Sequence, residues 1–136
     1  GADVFVEDIT IKGIEQAVEL YKKTDLKARL TKYHGKKTEA MFMAWSKTWL
    51  REDFKDWNIE SYLKKIFCLV LVIQGEEDEY GTLKQVQRIV NNTVGLSQKL
   101  IIPKIGHSPH KEVPQYILEK SIAFLTRQVT TLDSIN

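Results

Sequence analysis

Leu69-Val70-Leu71-Val72-Ile73-Gln74-Gly75-Glu76-Glu77-Asp78 is the stretch that decides the fold. Its continuous, partly β-branched apolar run ends at a glycine, which predicts a strand buried on both faces of a parallel sheet. Downstream, Thr82-Leu83-Lys84-Gln85 has the Thr-x-x-Gln form of a capping box, and Leu83, Val86, Ile89 and Val90 supply the buried face of the helix it opens. Lys99-Leu100-Ile101-Ile102-Pro103 predicts a second short strand. Pro114 suits the first turn of a last helix, followed by Ile117, Leu118, Ile122, Phe124, Leu125 and Val129. Strand, helix, strand, helix is the signature of a parallel sheet with right-handed crossovers. Val4-Phe5-Val6 reads as the end of a third strand.

Upstream of Leu69 the apolar residues recur at three- and four-residue steps, the helical period. Ile11, Ile14, Ala17, Val18 and Tyr21 make one stripe, which Leu26, Leu30 and Tyr33 continue until Gly35 offers a left-handed stop. A helix from Thr38 to Leu50 carries Met41, Phe42, Trp45 and Trp49, and a shorter helical piece spans Ile59 to Ile66. The expected fold class is α/β: a partial parallel sheet of two to three strands with flanking helices, preceded by a helical segment. No internal repeat and no Pro/Gly/Ser linker divides it.

The chain has 136 residues and a formal net charge of +2. That length holds one domain and excludes two. The basic residues are each diluted by nearby carboxylates, so no surface for nucleic acid is expected. The longest apolar run, Ile66 to Ile73, is eight residues; a membrane helix needs about 20, so no membrane partner is expected either. Early carboxylates at Asp3, Glu7 and Asp8 do not fit a secretory signal. The single cysteine, Cys68, cannot form an internal disulfide, which makes a cytoplasmic location the expectation.

Functional groups of open parallel sheets gather beyond the carboxyl ends of the strands. Asp78 follows the first predicted strand and His107 the second. A buried carboxylate beside an imidazole fixes the ring's tautomer and stabilises the imidazolium that forms when the other nitrogen takes a proton. The plainer readings are a turn carboxylate for Asp78 and a structural loop histidine for His107. His110 reads as a solvated or capping residue and His34 as a helix-end residue facing the dipole. Cys68 reads as buried filler in an apolar run, where a thiolate is disfavoured. Glu76-Glu77-Asp78-Glu79 reads as a solvated turn rather than a metal site, and no cofactor is expected. The stripe of Met41, Phe42, Met43, Trp45, Trp49 and Trp57 is either core or, in part, the roof of a pocket.

Gly-x-x-Asp directly after an apolar strand, then Gly-His-x-x-x-x-Glu-x-Pro from Gly106 to Pro114, resembles the C-terminal half of an α/β-hydrolase. Trp57-Asn58-Ile59-Glu60 and the segment from Leu71 to Thr82 resemble a bacterial subgroup of small cap-bearing members. The resemblance covers essentially the whole chain. It implies residues 1–8 as the remnant of a preceding strand, 9–66 as a helical cap and 67–136 as the C-terminal α/β portion of the core. It further implies Asp78 as triad acid, His107 as general base, and Phe42, Trp45 and Trp49 as lining of a pocket for a small-molecule substrate. Ester, thioester, amide and carbon–carbon hydrolysis all occur on this scaffold.

The family's chain order places the nucleophile in a Gly-x-Ser-x-Gly elbow upstream of the acid. This chain contains none: Gly106-His107-Ser108-Pro109-His110 and Gly95-Leu96-Ser97-Gln98-Lys99 both fail at their last position. Leu69, where many relatives have proline, is a milder departure. Together with Gly1 in place of methionine, this gives the expectation of a chain cut from a longer protein and inactive by itself. An exposed sheet edge near Val4 to Val6 would then hold a separate N-terminal half or self-associate. The competing expectation is a non-catalytic module that binds a partner or small ligand through its cap. A third is a self-contained enzyme using Ser108 or Cys68.

Overall fold

The computed structural model describes the backbone of residues 2–133 and the side chains of residues 2–126. Helix α1 (Asp8–Lys23) buries Thr10, Gly13, Ile14, Ala17 and Tyr21, the stripe its spacing predicts shifted slightly around the helix. That stripe does not run on. Thr24 turns extended (φ −126°, ψ −175°), its hydroxyl donating to the Leu20 carbonyl at 2.6 Å and accepting from the Leu26 amide at 3.2 Å. A separate helix α2 (Leu26–His34) therefore starts in a new direction and buries none of its residues; Tyr33 is 83% exposed. Gly35 supplies the expected stop at φ +52°, a backbone conformation that costs glycine little.

A single 3₁₀ turn leads into α3 (Thr38–Trp49), which packs against α1 and α2. Phe42 stacks on Tyr21 with ring centroids 3.9 Å apart. Trp49, Phe54 and Trp57 form a second aromatic cluster. The next helix, α4 (Glu60–Leu63), is one turn long and shorter than its sequence suggests.

Strand β1 (Val70–Gly75) pairs in parallel with β2 (Ser97–Ile102), from Val70 opposite Ser97 to Gly75 opposite Ile102. Helix α5 (Leu83–Asn92) makes the crossover. The chain closes with α6 (Pro109–Glu112) and α7 (Pro114–Asp133), the latter beginning at the proline as expected. Val4, Leu63, Val72, Val86 and Ile89 form the core between β1 and α5.

Val4-Phe5-Val6 is not a third strand of this sheet. Phe5 makes an isolated antiparallel bridge to Asn58, flanked by Val6 N–H to the Trp57 carbonyl (3.2 Å) and Ile59 N–H to the Val4 carbonyl (2.8 Å). The Val4 amide is fixed instead to Gln85 Oε1 at 2.9 Å. This explains why the capping box is only half formed. The Thr82 hydroxyl accepts from Lys84 N–H, but Gln85, fully buried, turns inward to Val4, Phe5 and Glu7. The Glu7 carboxylate takes its place, accepting from both the amide and the hydroxyl of Thr82.

Leu83 is 41% exposed rather than part of the buried face. Cys68 is also exposed, contrary to its reading as filler. The run from Ile66 to Leu69 is irregular chain bent at Cys68 and anchored by the Ile66 carbonyl, which accepts from Val94 and Gly95, so regular pairing starts only at Val70. On α7, Phe124 is buried while Leu118, Ile122 and Leu125 stay exposed. Val129 lies outside the described side chains.

Candidate active site

Two loops leave the carboxyl ends of β1 and β2 side by side, and Gly75 sets how closely they approach. A Cβ on Gly75 would stand 2.1 Å from the Ile105 carbonyl oxygen and 2.2 Å from that of Gly106. Glu76 N–H donates to the Ile102 carbonyl and Glu77 N–H to that of Ile105, both at 2.9 Å, so the chains are stitched together up to the residue before Asp78.

Asp78 Oδ1 lies 2.9 Å from His107 Nδ1 and also accepts the Tyr80 amide at 2.9 Å. The Asp78 side chain is 1% exposed and that of His107 37%. An ionised carboxylate only accepts, so the Nδ1 proton is the one shared with Asp78 and Nε2 is left as the basic nitrogen. Burial pushes the Asp78 carboxyl up, but the His107 bond and the Tyr80 amide together outweigh it, and the group stays below its ordinary value.

A depressed carboxyl contributes stability above its unfolded pKa and loses it as pH falls through the folded value. Wild type is therefore expected to exceed Asp78→Asn in stability at pH 6, with the gap closing below about pH 4. Urea unfolding at a series of pH values measures this; a gap that widens on acidification would contradict the ionised, paired Asp78.

Groups other than the expected acid and base hold the two loops. Glu79 Oε2 accepts the His107 amide at 3.2 Å. Glu112 accepts the amides of Gly106 (3.2 Å) and Ser108 (3.3 Å), which gives the glutamate of the Gly-His-x-x-x-x-Glu spacing a local purpose. Gln74, buried at the end of β1, donates to the Gly81 carbonyl at 2.6 Å. From the helical segment, Thr10 Oγ1 donates to the Tyr80 carbonyl at 2.5 Å, and α1 comes down on the acid loop at Gly13, where a Cβ would meet the Glu79 carbonyl oxygen at 2.5 Å. None of these contacts has a periodic signal in the sequence.

His107 stands between two cavities. One, of about 310 Å³, is lined by Asp3, Thr10, Ile14, Trp45, Trp49, Tyr80 and His107. The other, of about 300 Å³, lies against Ile73, Ser108, Pro109, His110 and Ile117. Of the three aromatic residues expected at the pocket, Trp45 and Trp49 meet His107 across the first cavity. Phe42 does not line it: it is 5% exposed and packs behind Trp45, held by its stack on Tyr21. Cys68 precedes β1 and Asp78 follows it, so the six-residue strand separates them by roughly 20 Å. Among the described residues no cluster of histidine, cysteine or acidic side chains could hold a metal, and no helix is long and apolar enough to cross a membrane.

A parallel β-α-β-α unit with an acid and a histidine at adjacent strand ends, joined to helices that reach over them, is part of an α/β-hydrolase fold. The chain aligns with the crystal structure of a His-tagged serine hydrolase involved in carbazole degradation, the CarC enzyme, at a TM-score of 0.62 and 20% identity. That alignment covers 92% of this chain and 51% of the other. It also aligns with a proline iminopeptidase of Mycobacterium smegmatis at 0.51 and 20%, covering 89% of this chain and 48% of that one. The chain thus spans about half the length of these structures. No family model and no curated protein matches it.

Proposed function

We propose that this chain supplies the acid and the base of a Ser-His-Asp hydrolase acting on an ester-like carbonyl, with the serine provided by a segment outside this sequence. The observation that carries the reading is the 2.9 Å contact between His107 Nδ1 and the buried Asp78 carboxylate. Nothing in a loop pairing made only for stability calls for a buried carboxylate under an imidazole that lines two cavities.

In the reaction, the serine oxygen attacks the carbonyl carbon while His107 Nε2 takes the hydroxyl proton. His107 then returns that proton to the leaving group as its bond to carbon breaks, and the acyl-enzyme forms. Water repeats the sequence to release the acid. Asp78 remains ionised and stabilises the imidazolium at each stage. The helices α1 to α4 serve as the cap, bringing Trp45 and Trp49 over the site. One cysteine in the sequence is compatible with a cytoplasmic location.

Without its nucleophile the chain is expected to be inactive, because loss of the serine alone costs about 10⁶ in rate, roughly 8 kcal/mol of barrier. The missing half or a second copy, expected at an edge near Val4 to Val6, would instead meet the exposed apolar side chains of α7, Leu118, Ile122 and Leu125, because Val4 is buried and Phe5 bridges Asn58. A serine-directed fluorophosphonate probe tests the reading. It should leave the 136-residue chain unlabelled and label a longer chain carrying the upstream serine, with labelling lost in His107→Ala. Stoichiometric labelling of the short chain would assign the nucleophile to Ser108 or another residue within it. A longer chain that never labels would favour a binding module.

A further inference from the structure

The cavity beside His107 combines a carboxylate with aromatic rings and, among the described residues, has no lysine or arginine in its lining. Asp3 is held there by its neighbours. The next residue, Val4, is fixed through its amide to buried Gln85, and Gly81 leaves the room: a Cβ on Gly81 would stand 2.8 Å from Asp3 Oδ1. Trp45 and Trp49 sit one turn apart on the same face of α3. Tyr80 meets Trp45 edge-on, with centroids 6.4 Å apart at 71°, and lies 4.7 Å from the His107 ring.

Ring faces carry negative potential, and a carboxylate among them adds a full charge. We propose that this cavity binds a cationic group, a primary or quaternary ammonium, on the substrate whose carbonyl His107 serves. The word substrate rests on the hydrolase reading; the cation site does not.

Asp78 and Glu7 are themselves carboxylates, so both add negative charge beside Asp3. Burial first, then the Asp78 charge, pushes the Asp3 carboxyl above its ordinary value; a protonated His107 and the N-terminal ammonium oppose this without overcoming it. A cation seated between Asp3 and the rings would offset that cost. A neutral or anionic group would leave it standing.

Tetramethylammonium titrated into the ¹⁵N-labelled chain tests the proposal, with tert-butanol as a neutral counterpart of similar shape. The indole N–H signals of Trp45 and Trp49, assigned with Trp45→Phe and Trp49→Phe, should shift saturably with tetramethylammonium and not with tert-butanol. Asp3→Asn should weaken binding by about tenfold or more, and Asp3→Glu should retain most of it. If Asp3→Asn does not fold, Trp45→Leu should show the same loss. Equal response to both compounds, absence of saturation, or unchanged affinity in a folded Asp3→Asn chain would overturn the proposal. Cation binding by a chain whose longer parent is never labelled by fluorophosphonate would sink the hydrolase reading alone; labelling without cation binding would sink only this one.

Discussion

Asp78→Asn, placed in a longer chain that supplies the serine, is expected to lower kcat by about 10⁴ while leaving KM nearly unchanged. Asparagine is close to isosteric, so the loop geometry should survive. Its amide nitrogen, however, donates where the carboxylate accepted. If that nitrogen faces the ring, Nδ1 must become the acceptor and the proton moves to Nε2, the atom that has to take the serine proton. If its oxygen faces the ring, the tautomer is kept but the negative charge opposite the developing imidazolium is gone. Steady-state kinetics measures the change. A loss of tenfold or less would show that Asp78 only braces the turn at Tyr80, whose amide it also holds.

Gly75→Ala is expected to destabilise the fold by at least about 3 kcal/mol, which lowers the melting temperature by roughly 10 °C. The added methyl would enter space occupied by the carbonyl oxygens of Ile105 and Gly106, at 2.1 and 2.2 Å. Both are backbone atoms, so no rotamer change relieves the clash. Either β1 withdraws or the histidine loop moves, and in both cases the Asp78 to His107 contact opens. Thermal unfolding of the variant checks the first effect and the position of its His107 ring signals the second. A variant that melts with wild type would contradict the close approach on which the site's geometry depends.

The sequence shows the α/β unit clearly because a doubly covered strand and an amphipathic helix each have their own period. β1, β2, α5 and the proline start of α7 follow directly from those patterns. The failures occur where a tertiary contact outbids a local one. Gln85 fits the capping box, yet it is worth more as the buried partner of Val4, Phe5 and Glu7, and Glu7 caps Thr82 in its stead. Thr24 has no breaker's identity, but its hydroxyl bonds to the Leu20 carbonyl end α1 and detach α2. Cys68 is apolar by company and exposed by geometry, since it sits at a bend ahead of the first paired residue.

The site divides in the same manner. Asp78 and His107 are legible because each directly follows a predicted strand in a motif of fixed spacing, and Trp45 and Trp49 because they share a helix face. Phe42 shares the aromatic composition but is drawn away by Tyr21. Asp3 and Glu79 carry no pattern at all, and Glu112 stands in the histidine motif without its purpose showing there; only the fold shows that Asp3 enters the cavity and that the two glutamates hold successive amides around His107.

The tautomer of His107 tests the central claim most directly, and the 136-residue chain suffices for it. Long-range ¹H–¹⁵N correlation of the imidazole ring distinguishes a protonated nitrogen from a bare one. With the ring neutral, the structure predicts a proton on Nδ1, shared with Asp78, and an unprotonated Nε2. A ring protonated at Nε2, or one exchanging freely between the two forms, would contradict a base oriented by its acid.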